Sequence, residues 1–136
     1  MKVIAVIPAR YKSTRFEGKP LVNLCGKPMI WWVHHQLCQV KGLSEIYVAT
    51  DDERIRKVCS DYGIKYVMTS DSHPTHLDRL AEFAENIESD FYININGDEP
   101  LMMPEYVERL LPTSDLNPVD FYFANAMTKI KKTVEV

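Results

Sequence analysis

The sequence predicts an α/β fold, a three-layer sandwich in which helices cover both faces of a mostly parallel sheet. Short apolar runs recur along the chain, and a segment with helical spacing of its apolar side chains follows each of the first four. The first run, residues 3–7, contains no polar position, which is typical of a strand buried on both faces of a parallel sheet. This alternation predicts right-handed crossovers between parallel strands.

The predicted elements alternate in order along the chain. Strands are expected at residues 3–7, 45–50, 64–68, 90–96 and 120–127, and helices at about 28–40, at about 53–62, from about 77 and from 104. Pro28 is expected as the first residue of the first helix, and Asp51 or Asp52 as the cap of the second. Gly63 is expected just after the end of the second helix, where a left-handed conformation favours glycine.

Length and composition describe a single domain over residues 1–136. Hydrophobic residues make up 46% of the chain and charged residues 26%, as in globular proteins, and the net charge of −3 disfavours a general nucleic-acid-binding protein. No apolar run approaches the ~20 residues of a membrane span, and the N-terminus lacks a signal-peptide pattern. Three cysteines without metal-type spacing fit reduced thiols. We therefore expect a cytoplasmic protein that binds neither nucleic acid nor membrane.

The loop after the first strand is the most informative polar segment. Its sequence, PARYKSTRFEGKPL at residues 8–21, places Arg10, Lys12, Arg15 and Lys19 around Gly18. Arginine and lysine side chains, together with turn amides, are the groups with which proteins hold phosphate oxygens. The spacing matches neither the Walker pattern nor the dinucleotide-binding fingerprint. The alternative is a solvated surface loop whose cations pair with nearby acids.

A second polar segment, NINGDEP at residues 94–100, follows the fourth predicted strand. Because parallel strands end at the same edge of a sheet, Asp98 and the loop at 69–76 are expected to face the basic loop. A carboxylate opposite a phosphate site is a common way to hold Mg²⁺. The alternative is that Asp98 or Glu99 caps the helix opened by Pro104, or closes a turn.

Five segments together resemble the CMP-Kdo synthetases, the 3-deoxy-D-manno-octulosonate cytidylyltransferases. In the order of that family they are IPARYKSTRFEGKPL, GKPMI, VATDDERI, VMTSDSHPTHLDRLAE and NINGDEP. They span residues 7–100, most of this chain. The resemblance implies a Rossmann-like α/β/α sandwich of the nucleotide-diphospho-sugar transferase type, with this chain as its N-terminal, nucleotide-binding part.

The resemblance also implies an activity. CMP would pass from CTP to an acid sugar such as 3-deoxy-manno-octulosonate, with release of pyrophosphate, in lipopolysaccharide or capsule precursor synthesis. Mg²⁺ is the implied cofactor, and the full-length family is expected to form homodimers. Such transfers depend largely on positioning and charge neutralisation, which cations and a metal carboxylate supply. The alternatives are another acceptor, either a different acid sugar or a phosphonate, and a non-catalytic nucleotide-binding fragment.

The same motif matches imply the site residues. Arg10, Lys19 and Asp98 are the expected catalytic residues, with Asp98 also the metal ligand, and Asn96 is expected to bind the sugar acid. The expected nucleotide-binding residues are Pro8, Ala9, Arg10, Ser13, Arg15, Lys19, Pro74, Thr75 and His76.

Three features depart from the family's pattern. His76 and Leu77 stand where the family usually has glycine and threonine beside the base. Asn96 stands where glutamine is usual and is shorter by one methylene. Glu17 stands where proline is common, and it places a negative charge in the phosphate loop that neighbouring lysines are expected to offset. The first two features favour a different acceptor.

Overall fold

The computed structural model describes residues 1–12, 15–72 and 75–113. In chain order the elements are β1 (Val3–Ala9), a 3₁₀ turn (Lys19–Leu21), β2 (Asn23–Leu24), β3 (Lys27–Pro28), α1 (Met29–Cys38), β4 (Glu45–Thr50), α2 (Glu53–Asp61), β5 (Tyr66–Met68), α3 (His76–Asn86), β6 (Phe91–Asn94) and α4 (Pro104–Glu108). The first strand is longer than predicted, and those predicted at 64–68 and 90–96 are shorter. The strand predicted at 120–127 lies outside the described residues.

The four longer strands form one parallel sheet in the order β5-β4-β1-β6. The register pairs Ala9 of β1 with Thr50 of β4, and Val6 of β1 with Asn94 of β6. The chain moves outward from β1 through β4 to β5 and then returns to the opposite side of β1. The strand order therefore reverses between β1 and β6, where open α/β sheets leave a ligand crevice beyond the carboxyl ends of their strands.

Strand β1 is buried on both faces, as its uninterrupted apolar sequence predicts. Ile4 and Val6 are completely buried in a cluster with Phe83 of α3, whereas Ala5 and Ile7 belong to a second cluster. Helices α1, α2 and α4 supply the second cluster through Ile30, Val33, Leu37, Ile55, Cys59 and Val107. Because helices cover both faces of the sheet, the predicted three-layer α/β/α sandwich is confirmed.

The ends of α2 follow the local signals of the sequence. The side chain of Asp52 accepts hydrogen bonds from the backbone N–H groups of Arg54 at 2.8 Å and Ile55 at 3.4 Å. Such a cap contributes about 1 kcal/mol to helix stability. Gly63 lies just after Tyr62, the C-cap residue, with φ of 69° in the left-handed region, as predicted.

Helix α3 begins one residue before the predicted position. Thr75 and Asp78 form a reciprocal capping box, in which each side chain bonds the backbone N–H of the other. This box places the first turn at His76 rather than at Leu77. Helix α3 is 11 residues long. None of the described helices is long and apolar enough to cross a membrane.

The prediction for Pro28 is wrong, because α1 begins at Met29. Pro28 is extended and pairs with Asn23 in a two-stranded ribbon of β2 and β3. The ribbon turns through Cys25 and Gly26, at φ of 51° and 87°, as expected for a tight two-residue hairpin. Strands of two residues carry no detectable periodicity, which explains why the sequence predicts only a loop there.

Phe83 provides a test of the α3 face of the core, since it is completely buried. Phe83→Ala is expected to lower the free energy of unfolding by about 3–5 kcal/mol, because a cavity adds to the lost apolar burial. Leu77→Ala on the same helix is the control: Leu77 is 68% exposed, and its loss is expected to change stability by no more than about 0.5 kcal/mol. Urea unfolding of both variants measures the difference, and equal effects would contradict the described packing.

Candidate functional site

A cleft of about 310 Å³ opens beyond the carboxyl ends of β1 and β6, where the strand order reverses. Residues that leave β1 form one wall, and residues that follow β6 form the other. The lining residues are Pro8, Ala9, Arg10, Lys12, Lys19, Pro20, Asn96, Gly97 and Asp98. The loops at 9–19 and 97–100 therefore meet at one edge of the sheet, as the parallel topology predicts.

Backbone contacts bring the two walls together. The N–H of Ile95 donates to the carbonyl oxygen of Val6 at 2.9 Å, which continues the β1–β6 pairing beyond the end of the strand. Gly97 then lies beside β1, where a Cβ atom would be in ordinary van der Waals contact with the carbonyl oxygen of Pro8 at 3.5 Å. The next residue, Asp98, lies opposite the basic loop.

Lys19 and Asp98 face each other across the cleft. The Lys19 Nζ lies 3.3 Å from Asp98 Oδ2, and their side chains are 45% and 51% exposed. An exposed ion pair of this kind contributes about 0–1 kcal/mol, so either group can exchange the contact for a charged ligand with little loss of stability. Arg10 and Lys12 line the same cleft. The lining thus combines three cations with one carboxylate.

This set of charges suits a magnesium-bound polyphosphate. Arginine and lysine bind phosphate oxygens, and Asp98 is the lining residue that could hold a metal. Mg²⁺ is commonly held by one or two carboxylates together with substrate phosphates and water, so a single aspartate fits this ion. Within the described ranges, no three His, Cys, Asp or Glu side chains form a metal site by themselves.

Gly18 determines the path of the basic loop just before Lys19. Its φ of 73° lies in the left-handed region, and its N–H donates to the carbonyl oxygen of Tyr11 at 2.7 Å. A Cβ atom on Gly18 would lie 3.0 Å from the Tyr11 ring. The carbonyl oxygen of Gly18 accepts from the N–H of Leu21 at 2.9 Å, which forms the turn that carries Lys19. Gly18 therefore permits both the turn and the packing of Tyr11.

Arg54, in the first turn of α2, covers the ring of Tyr11. Its guanidinium carbon lies 3.2 Å from the ring centroid. The Nε and Nη2 groups of Arg54 donate to the two carboxylate oxygens of Asp52 at 3.1 Å and 2.8 Å. The pKa of Asp52 is lowered mainly by the hydrogen bond from Arg54, whereas burial acts in the opposite direction. The start of α2 is thereby connected to the basic loop.

A buried cation, Arg79, lies near Arg10 on the α3 side. Its side chain is 1% exposed, and its Nη1 donates to the hydroxyl of Thr69 and to the carbonyl oxygen of Ser70. Its Nη2 is buried without a hydrogen-bond partner among the described residues, and lies 3.8 Å from the carboxylate of Asp51. Burial lowers the pKa of the Arg79 guanidinium; the charge of Arg10 acts in the same direction, and that of Asp51 opposes it.

Most of the predicted site residues converge on the cleft. Those that line it are Pro8, Ala9, Arg10, Lys19, Asn96 and Asp98. Arg15 and Thr75 are exposed and do not line it. Ser13, Pro74 and the side chain of His76 lie outside the described part of the chain. The structure thus establishes the positions of eight of these residues, whereas the ligand that each would bind stays a prediction.

Local hydrogen bonds explain two of the predicted binding residues in structural terms as well. The Thr75 hydroxyl donates to the Asp78 carboxylate at 2.7 Å and accepts from the Asp78 N–H at 3.2 Å. The Asn96 amide donates to Glu99 at 3.4 Å, a long contact that a ligand could replace. Neither Asp98 nor Glu99 caps α4, because Met103 occupies that position.

Sequence reasoning missed Arg79 and the stack of Arg54 on Tyr11. A signal for Arg79 was present, because Arg79 and Phe83 lie four residues apart and so share the buried face of α3. The stack has no comparable signal. Its two residues are distant in sequence, and only the pairing of β1 with β4 brings the loops after these strands side by side.

Comparisons with known proteins agree with this geometry. A family profile described as cytidylyltransferase matches residues 4–136. A 3-deoxy-manno-octulosonate cytidylyltransferase of Escherichia coli is 47% identical over 81% of this chain and 45% of the relative. An 8-amino-3,8-dideoxy-manno-octulosonate cytidylyltransferase of Shewanella sp. strain W3-18-1 is 41% identical over 100% of this chain and 57% of the relative.

Solved structures give the same result. A CMP:2-keto-3-deoxy-manno-octonic acid synthetase complexed with CTP matches with a TM-score of 0.79 and 46% identity, over 81% of this chain and 46% of that one. The chain therefore spans about half the length of the relatives that it matches.

Asp52 provides a test of the charged cap at the start of α2. Because its pKa is lowered in the folded state, its stabilising contribution is present above the pKa of the unfolded state and is lost as the pH falls below about 4. Asp52→Asn keeps a good capping residue but loses the charge, so it is expected to lower stability by about 0.5–1 kcal/mol near pH 7. Urea unfolding from pH 7 to pH 3 checks this. A difference in the free energy of unfolding between variant and parent that does not change with pH would contradict it.

Proposed function

Because the chain belongs to the cytidylyltransferase family, we propose that it forms the nucleotide-binding part of an enzyme that transfers CMP from CTP to an acid sugar and releases pyrophosphate. The acceptor is 3-deoxy-manno-octulosonate or a close relative of it. One observation carries the proposal: Lys19 and Asp98 meet at 3.3 Å in a cleft at the reversal of strand order. Such a cleft offers both a cationic wall for a triphosphate and a carboxylate for its metal.

The cations of the cleft hold the triphosphate. Arg10, Lys12 and Lys19 neutralise its charge and the charge that collects on pyrophosphate as it leaves. Ser13 and Arg15 of the same loop belong to this set by family resemblance. The remaining nucleotide contacts proposed on the same basis are those of Pro8, Ala9, Pro74, Thr75 and His76.

Asp98 is the residue that would hold Mg²⁺ in the proposed complex. When bound, the ion neutralises phosphate charge and acts as a Lewis acid. Lys19, which contacts Asp98, would then turn toward the phosphates. Asn96, on the same wall, faces the acceptor.

The transfer is a single displacement. The anomeric hydroxyl oxygen of the sugar attacks the α-phosphorus, the bond from that phosphorus to the bridging oxygen breaks, and the hydroxyl proton passes to solvent. Pyrophosphate carries away the electron pair of the broken bond. No covalent enzyme intermediate is needed, so holding the phosphates in line with the acceptor is the main task of the protein.

An amino-sugar acceptor is the second candidate. It is favoured by the match over the full length of this chain to the relative named for 8-amino-3,8-dideoxy-manno-octulosonate. Pyrophosphate release measured with each of the two sugars separates the candidates, since the true acceptor gives the higher kcat/KM. Family resemblance extends the proposal to a role in lipopolysaccharide or capsule precursor synthesis, to a cytoplasmic location and to a homodimer of the full-length enzyme.

Replacing Lys19 tests the cationic wall. Lys19→Ala is expected to weaken Mg-CTP binding by about 10- to 100-fold, because a charge-assisted hydrogen bond is lost. Its stability is expected to change little, since Lys19 is half exposed. Titration calorimetry measures binding, with Lys57→Ala as the control: Lys57 is an exposed lysine of α2 that pairs with Asp61. Equal binding by Lys19→Ala and the parent would refute this assignment.

Replacing Asp98 tests the metal role, because the effect of the substitution on CTP affinity is expected to reverse when Mg²⁺ is removed. With Mg²⁺ present, Asp98→Ala is expected to bind CTP about 10-fold or more weakly than the parent, because the carboxylate ligand is lost. With EDTA present, the variant is expected to bind more tightly than the parent, because the carboxylate then only repels the phosphates. Weaker binding under both conditions would contradict a metal role.

Nucleotide choice is tested by thermal unfolding with CTP, ATP, GTP and NAD, each with and without Mg²⁺. A ligand that binds only the folded state raises the unfolding temperature. Mg-CTP is expected to give the largest shift. An unfolding temperature that none of the four ligands changes would contradict the proposed function.

A further inference from the structure

The basic loop carries four cations and one carboxylate, so contacts from the surrounding structure are expected to help hold it in a compact shape. Arg10, Lys12 and Arg15 are exposed, and Lys19 is half exposed. Repulsion between cations opposes a compact loop before any anion is bound. A loop that must present several cations at once binds its ligand more tightly when its shape is already established, because less ordering accompanies binding.

Tyr11 is the residue through which the loop is held. It lies between the cations at positions 10 and 12, its carbonyl oxygen accepts the N–H of Gly18 at 2.7 Å, and its ring lies against Gly18. Lys19 follows directly. The position of the Tyr11 ring therefore affects both the beginning of the loop and the residue that faces Asp98.

Arg54 is well placed to hold that ring. Its guanidinium carbon is 3.2 Å from the ring centroid, and two hydrogen bonds to Asp52 restrict its rotation. Asp52 is itself fixed, since it caps α2 and its N–H donates to the hydroxyl of Thr50 at 3.2 Å. Thr50 is the last residue of β4, which pairs with β1. A continuous set of contacts thus connects the sheet to the Tyr11 ring.

We propose that Arg54 is a positioning residue, which acts through its stack on Tyr11 to hold the basic loop in the geometry that accepts a triphosphate. This inference rests on the proposed nucleotide-binding function. Arg54 does not line the cleft, so its effect on the ligand passes through Tyr11 and Gly18. The chemistry involved is the attraction of a planar guanidinium to the face of an aromatic ring.

Glu17 gives Arg54 a second possible connection to the loop. The hydrogen bond to Asp52 is the main cause that raises the pKa of Arg54, and the negative charge of Glu17 acts in the same direction. Arg54 is thus a cation near Glu17, in addition to the lysines of the loop. A test must separate the stack from simple neutralisation of Glu17.

Two substitutions at position 54 make this separation. Arg54→Ala removes both the stack and the charge, whereas Arg54→Lys keeps the charge but lacks the planar fork that stacks on Tyr11 and binds Asp52. Tyr11→Leu removes the ring from the other side, and Tyr11→Phe keeps it. Lys57→Ala, which removes an exposed cation from the same helix, is the matched control.

The first measurement is Mg-CTP binding by titration calorimetry. Arg54→Ala, Arg54→Lys and Tyr11→Leu are each expected to raise the Kd by about 10-fold. The double variant Arg54→Ala with Tyr11→Leu is also expected at about 10-fold rather than 100-fold, since both substitutions break one contact. Tyr11→Phe and Lys57→Ala are expected within about twofold of the parent.

The second measurement needs no nucleotide and so separates this inference from the proposed function. Limited trypsin digestion reports the rate of cleavage after Lys12 and Arg15. Arg54→Ala, Arg54→Lys and Tyr11→Leu are expected to be cut there several-fold faster than the parent, because proteolysis follows the population of open loop. If the parent bound no Mg-CTP, the proposed function would be contradicted, but the digestion would still show whether the stack orders the loop.

Three results would overturn the inference. Parent-like cleavage of all three variants would show that the stack does not order the loop. Rescue of binding by Arg54→Lys would assign the effect to charge near Glu17 instead. Multiplicative losses in the double variant would mean that Arg54 and Tyr11 act independently.

Discussion

The pairing of β1 with β4 on one side and β6 on the other is the constraint on which the site depends. β1 is buried on both faces, so its register with its neighbours leaves no freedom to slide without exposing apolar side chains. Three polar segments therefore leave the sheet at defined positions: the basic loop after β1, the α2 cap after β4, and the turn that carries Asp98 after β6. The packing of the aliphatic core thus fixes the positions of the charged groups that follow these strands.

The ion pair of the cleft is weak enough to be replaced by contacts with a charged ligand. Lys19 and Asp98 are about half exposed, and their contact contributes little to folding. The residues that keep the surrounding backbone in place are, in contrast, buried or hydrogen-bonded, as Ile95 and Gly18 illustrate. This division would let the cleft bind the proposed triphosphate without disturbing the sheet.

Two arginines support the site in different ways. Arg79 is buried on α3, where its Nη2 has no hydrogen-bond partner among the described residues and the charge of Arg10 helps to lower its pKa. Arg54 is half exposed and contacts the loop through the ring of Tyr11. Both lie on helices that follow neighbouring strands of the sheet, α3 after β5 and α2 after β4. The basic loop is consequently bordered by elements that are distant in sequence.

Local patterns were enough to predict the α/β class, most element positions and the charges of the site, because periodicity, caps and the composition of loops are local properties. Asp52 and Gly63 end α2 as their residue types predict. Two contacts arise only in the folded chain: the 3.3 Å approach of Lys19 to Asp98 and the stack of Arg54 on Tyr11. Both depend on which strands are neighbours. Strand order is set by packing across the whole sheet, and no local pattern records it.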